Sequence, residues 1–246
     1  MNVFGTPGRI LFTIAIACFG AHYLAYASGT SLAPPGPPWF PDQRSLSWAV
    51  GAALLAAALC LALEWKPRSV ALLLGTALLL RVVFIHIPRI LLSVHNPGPW
   101  TSLGEILSIS GGAFVISITE SIFRTKMSTR LAQCLFALPL FIFGAQHVLY
   151  GHFVATLIPD WIPARLFWAY FIGIAFILAA LAIIFRRLAL PAASLLGVMF
   201  FSWVVILHGP RVAAAARNGN EWTSLFVALA MAGSAWSVAG TFASKK

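Results

Sequence analysis

The chain has 246 residues, of which 60% are hydrophobic and only 9% charged, and its mean hydropathy is +0.91. A soluble domain carries about 25% charged residues, so this composition excludes an ordinary water-soluble fold and points to an integral membrane protein. The net charge of +10 is explained by Lys and Arg gathered in loops that set membrane orientation, so nucleic acid is not expected as a partner.

Crossing the hydrocarbon takes about 20 mostly apolar residues. Eight stretches qualify: 8–29, 45–63, 69–93 and 102–122, then 131–152, 165–185, 189–213 and 222–242. Helices are expected for all of them, because backbone facing lipid must satisfy its own hydrogen bonds. The first stretch has some marks of a signal peptide, with Arg9, an apolar run and then Ala25-Tyr26-Ala27-Ser28-Gly29. Its counterpart, 131–150, lies mid-chain, so the first stretch is expected to be a retained helix. Between the first two, Thr30 to Arg44 contains Pro34-Pro35-Gly36-Pro37-Pro38-Trp39-Phe40-Pro41, a stiff extended connection. Cys18, Cys60 and Cys134 lie apart in apolar runs without a Cys-x-x-Cys pair and are expected to be small core hydrophobes.

The basic residues divide unequally between the two sides. Arg9, Lys66, Arg68, Arg124, Lys126, Arg130, Arg186, Arg187, Lys245 and Lys246 fall on one side, against Arg44, Arg89, Arg165, Arg211 and Arg217 on the other. Ten against five places both termini in the cytoplasm, as an even number of spans requires. Trp39, Trp100, Trp161 and Trp222 then mark the outer boundary, where an amphipathic ring is best accommodated.

The chain repeats itself. His86-Ile87-Pro88-Arg89, Asn96 and Trp100-Thr101-Ser102 return 122 residues later as His208-Gly209-Pro210-Arg211, Asn218 and Trp222-Thr223-Ser224. The same offset carries Trp39 to Trp161, Gly51 to Gly173, Gly75 to Gly197 and Gly111 to Gly233. Phe19-Gly20-Ala21-His22 answers Phe143-Gly144-Ala145-Gln146-His147 with a small shift. The expected fold is therefore an all-α membrane protein of eight transmembrane helices in two parallel four-helix repeats, 1–127 and 128–246. A pseudo-twofold along the membrane normal should relate them.

Histidine within a span is costly and is a functional candidate. In each half the first helix brings one (His22, His147) and the third another (His86, His208). Such pairs could ligate haem iron or a metal, or hydrogen-bond a quinone carbonyl; they could equally be interhelical glue with no ligand. In His-x-Pro-Arg the imidazole and guanidinium share a helix face. Pro88 and Pro210 leave the carbonyls of Phe84 and Ile206 without a partner, which opens or kinks the helix. This suits an anionic or carbonyl-bearing guest; the alternative is that Arg89 and Arg211 snorkel to lipid phosphate. Arg81 is expected to pair with Glu105, and Arg211 with Glu221, a carboxylate replaced by Pro99 in the first half. His208 and Arg211 should therefore line a cavity beside His147, making the second half the working one. Glu64 and Glu120 are expected to be solvated beside basic residues. No phosphate-cradling glycine loop, His-Glu-x-x-His or Gly-x-Ser-x-Gly is present.

The segments Phe143-Gly144-Ala145-Gln146-His147, Pro159-Asp160-Trp161-Ile162-Pro163, Phe167-Trp168-Ala169-Tyr170, His208-Gly209-Pro210-Arg211 and Glu221-Trp222-Thr223-Ser224 resemble the DoxX-like family of small four-helix membrane proteins. The first half fits more loosely. The resemblance implies a bacterial cytoplasmic membrane protein, an accessory role with a quinone or respiratory link, and redox partner proteins beside the lipid bilayer. The candidate cofactor-binding set is His22, His86, Arg89, His147, His208, Arg211 and Glu221, with His147 and His208 as metal ligands if haem or a metal is bound. The competing readings are a quinone-linked oxidoreductase using the four histidines and a small-molecule transporter whose halves rock about the pseudo-twofold.

Overall fold

A computed structural model describes residues 3–26, 43–120 and 125–243. The proline-rich loop with Trp39, and also Arg124, Lys245 and Lys246, lie outside the described residues. Helices account for the secondary structure, with no strand among the described residues. In chain order they are α1 (Gly5–Ala25), α2 (Gln43–Ala62), α3 (Pro67–Arg81), α4 (Ile87–Leu92), α5 (Pro97–Thr119), α6 (Lys126–Ala137), α7 (Pro139–Leu149), α8 (Gly151–Leu157), α9 (Arg165–Phe185), α10 (Ala189–Trp203), α11 (Gly209–Ala214) and α12 (Gly219–Ala243).

Joined where they run on, these helices give eight spans long and apolar enough to cross a membrane, beginning with Gly5–Ala25 and ending with Gly219–Ala243. The fourth and eighth begin at Pro97 and Gly219, earlier than the expected 102 and 222, because polar residues outside the apolar run cap them. Asn96 Oδ1 accepts the Gly98 amide and Asn218 Oδ1 the Asn220 amide, each at 3.0 Å. Trp100 and Trp222 then fold back, each indole N–H donating to a carbonyl six residues earlier, Val94 at 3.0 Å and Ala216 at 2.9 Å.

The third and seventh spans are interrupted in the same way. Val82–His86 and Val204–His208 form π-helical turns, closed by the amides of Ile87 and Gly209 donating to Val82 and Val204. Pro88 and Pro210 follow at once. Each proline lacks the N–H that would bond the carbonyl four residues back, and the wider turn accommodates that gap.

The centre is built on α5 and α12, which pack against each other and are the most buried spans. Small residues allow the approach: a Cβ at Gly112 would lie 2.1 Å from Ser234 Oγ. The first helix of each half packs on the fourth helix of the other. Gly233 of α12 abuts α1, where a Cβ would meet the Phe12 amide nitrogen at 2.4 Å, and Gly111 of α5 abuts α6, where it would meet that of Phe136 at 2.4 Å. The halves 1–127 and 128–246 are thus interlocked through α1 and α6. Outside them, α3 packs on α5 and α10 on α12, while α2 lies on α1 and α9 on α7.

Buried hydroxyls tie these helices together through backbone carbonyls, Ser110 donating to Gly75 at 2.8 Å, Ser117 to Arg68 at 2.9 Å and Ser108 to Phe136 at 3.0 Å. At the end that holds the start of α1, Arg9 pairs with Glu64 and donates to Glu120 at 3.1 Å. Glu120 is therefore not simply solvated, although Glu64 is largely exposed. Large apolar side chains such as Phe84, Leu91, Phe171, Leu178 and Leu195 face outward. A protein in water would not tolerate so extensive an apolar exterior, whereas lipid would cover it at no cost.

Candidate functional site

The His86 site begins with the π turn. By widening the helix before Pro88, it turns His86 inward, where the side chain is only 4% exposed. Its Nε2 is buried with no hydrogen-bond partner, which for an imidazole away from water costs about 1–3 kcal/mol. Arg89, three residues on, shares its face. Together with Leu92, Ser93, Gly98, Pro99 and Ser102 they line a cavity of about 470 Å³, at the end of the bundle opposite Arg9. The Asn96 cap sets the far wall, since it starts α5 at Pro97 and so brings Gly98, Pro99 and Ser102 opposite the π turn.

Arg89 brings a positive charge to this cavity, and none of the lining residues is a carboxylate. The ion pairs among the described residues are Arg9–Glu64, Arg9–Glu120 and Arg165–Asp160. The expected Arg81–Glu105 pair does not form. Arg81 donates instead to the Tyr23 hydroxyl at 2.8 Å, and its Nε is buried without a partner. The reason is spatial: α1 carries Tyr23 past the end of α3, and a phenol accepts from a guanidinium without burying a second charge. Ser93 donates to the Arg89 carbonyl at 2.9 Å, so its oxygen keeps acceptor capacity for a guest.

The histidines of the first helices sit elsewhere. His22 is 5% exposed, and its Nε2 lies 3.2 Å from Thr223 Oγ1 on α12. In the other half the same place is taken by Gln146, not His147. Thr101, 122 residues before Thr223, donates to Gln146 Oε1 at 2.9 Å, and Gln146 donates to the Pro97 carbonyl at 2.9 Å. His147 instead makes a 2.8 Å Nδ1 contact with the Phe143 carbonyl of its own helix and lies edge-on to Phe176. Among the described residues neither His22 and His86 nor His147 and His208 are in ring contact or share a hydrogen-bond partner. No group of three or more His, Cys, Asp or Glu side chains converges there either. α1 carries His22 to α12 of the other half, whereas His147 faces α9 of its own half, beside Gly173 and Phe176.

The second half departs further from expectation. His208 is half-buried with Nδ1 unpartnered, and it is absent from the walls of the adjacent cleft of about 380 Å³, which Arg211 does line. Arg211 donates to the Leu157 carbonyl at 2.7 Å and does not pair with Glu221. Leu157 ends α8, where terminal carbonyls lack intrahelical partners and a guanidinium satisfies one well. Glu221 lies in the first turn of α12, where the helix dipole favours an acid without any arginine. Hence His and Arg converge on one cavity in the first half, at His86 and Arg89, whereas the cleft that Arg211 lines in the second half does not include His208.

Tyr23 and Ser93 were not singled out by the sequence, and Ser102 only as part of the repeated Trp-Thr-Ser. The signal for Gln146 was present, because Phe19 to His22 matches Phe143 to Gln146 residue for residue. His95 and His152 are exposed. Comparison with protein-family models, with curated proteins and with solved structures gives no match.

Proposed function

We propose that the chain is an integral membrane protein of two parallel four-helix repeats, both termini cytoplasmic, that binds a carbonyl- or oxyanion-bearing guest between His86 and Arg89. The single observation that carries the binding reading is the unpartnered, buried His86 imidazole on a cavity that also holds an arginine with no carboxylate. Such a group is satisfied when a ligand arrives. The repeat reading is supported by the recurrence, at an offset of 122, of the π turns, the asparagine caps and the tryptophan hydrogen bonds. Reciprocal contacts of the isologous kind, Gly111 with Phe136 and Gly233 with Phe12, support a twofold relation. The ten-to-five basic asymmetry supports the orientation and puts the His86 cavity in the outer leaflet.

Membership of a DoxX-like family, a bacterial cytoplasmic membrane and a respiratory partner rest on the sequence motifs. A quinone falls within the guest class, since its carbonyl would accept from the imidazole and the guanidinium together.

Solvent extraction of the purified protein followed by mass spectrometry should recover a carbonyl- or oxyanion-bearing molecule. His86→Ala and Arg89→Ala should each weaken its rebinding by roughly 10- to 100-fold, the equivalent of about 1.5–3 kcal/mol for a charge-assisted hydrogen bond. His208→Ala should leave binding unchanged. Equal binding by the parent, His86→Ala and Arg89→Ala proteins would sink the proposal.

A further inference from the structure

The second half carries a feature unrelated to the His86 cavity. Between α9 and α10 runs a groove of about 1140 Å³, walled by side chains that include Phe171, Ala175 and Ala182 on one side and Leu195, Met199 and Trp203 on the other. Seventeen residues separate Trp168 from Phe185 along its α9 wall, roughly 26 Å at 1.5 Å per residue. One leaflet supplies about half of the roughly 30 Å hydrocarbon thickness, so the groove is longer than a phospholipid tail of one leaflet reaches.

One end of the groove is polar. Ile158, Pro159, Trp161, Ile206 and Leu207 belong both to the groove and to the neighbouring cleft that Arg211 lines. Asp160 at this mouth is already paired with Arg165. Arg211 uses Nη2 on the Leu157 carbonyl, which fixes the guanidinium in place and leaves further N–H donors and a full charge without an ion-pair partner among the described residues. At the other end Arg187 lines the groove.

We propose that this groove holds one long polyisoprenoid chain bearing a phosphate head, the phosphate at Arg211 and the chain laid between α9 and α10 toward Arg187. The charge at the mouth selects an anion, and a planar guanidinium is matched to phosphate oxygens. The length of the apolar wall selects a chain longer than a leaflet phospholipid provides.

The test uses the full chain in nanodiscs, with a long polyisoprenyl phosphate, farnesyl phosphate, the long polyisoprenol and phosphatidylglycerol as probes in native mass spectrometry. The long phosphate should bind on the order of tenfold or more tightly than each of the other three. Arg211→Gln should bring the long phosphate down to the level of the alcohol. Ala182→Phe, and independently Leu195→Phe, should weaken the long phosphate and leave farnesyl phosphate unchanged. His86→Ala should change none of these values, so the outcome is separate from that of the His86 cavity. Phosphatidylglycerol binding as well as the long phosphate would overturn the proposal in favour of an ordinary leaflet lipid, with Arg187 as an equivalent anchor. Insensitivity to Arg211→Gln, or to both groove-filling changes, would overturn it as well.

Discussion

At residue scale, the buried polar side chains differ in what they touch. His22 and Gln146 join helices: each meets a threonine, Thr223 on α12 or Thr101 on α5, two positions 122 residues apart in the chain. An imidazole and an amide serve alike there because each reaches a threonine hydroxyl, so what both contacts need is hydrogen-bonding capacity. His86 differs, since its Nε2 has no partner. Thr223→Val keeps the shape and removes the hydroxyl, and it should destabilise the protein by about 0.5–1.5 kcal/mol, as interhelical hydrogen bonds in membranes do. Thr101→Val should behave alike. Unfolding in mixed micelles measures both, and a cost confined to Thr223→Val would show that the two positions are not equivalent. The sequence singled out His22 and Arg81 but not their partners, because hydrogen bonds across helices depend on a packing order that apolar periodicity does not encode. Tyr23 meeting Arg81 is the clearest case.

At the scale of the element, the eight spans were legible because length and hydropathy suffice. The opening before each proline was legible because a missing N–H has a definite consequence at a definite carbonyl. What could not be read was the exchange of first helices, since α1 and α6 present small and apolar surfaces that would suit either fourth helix. That exchange brings His22 to Thr223 of α12 and Gln146 to Thr101 of α5. The π turn at Val82–His86 also makes a mechanical prediction. Pro88→Ala restores the amide and permits an ordinary α-helical turn, removing one residue's worth of widening and rotating His86, together with α4, by about 100° relative to α3. Guest binding at His86 should then fall by at least the tenfold expected of His86→Ala, with little loss of fold because Ala favours helix. Pro210→Ala should leave that binding untouched. Ligand titration of the two variants decides it, and intact binding by Pro88→Ala would mean that the π turn does not position the imidazole.

At the scale of the molecule, the fold is held by a centre where α5 and α12 approach through small residues. Gly112 and Ser234 are 122 residues apart and face each other, as the proposed twofold requires of equivalent positions. Space there is scarce in a specific sense: a single added Cβ at Gly112 would lie 2.1 Å from Ser234 Oγ, 2.5 Å from its Cβ and 3.0 Å from its Cα. The backbone cannot yield without moving both central helices. Gly112→Ser should thus destabilise by about 1–3 kcal/mol, the usual cost of overpacking. Ser234→Gly alone should cost little in hydrogen bonding, because the Ser234 hydroxyl has no partner to lose, although an extra glycine weakens α12 by up to about 1 kcal/mol. The informative variant combines them. Gly112→Ser with Ser234→Gly passes one hydroxymethyl group across the proposed axis and conserves the volume between the helices. If the two positions are equivalent, the double variant should recover to within about 1 kcal/mol of the parent, and the singles will be strongly non-additive. Unfolding of all four proteins in mixed micelles gives the coupling directly. A double variant as unstable as Gly112→Ser alone would mean that the environments on the two sides differ, and the twofold description of the centre would have to be abandoned.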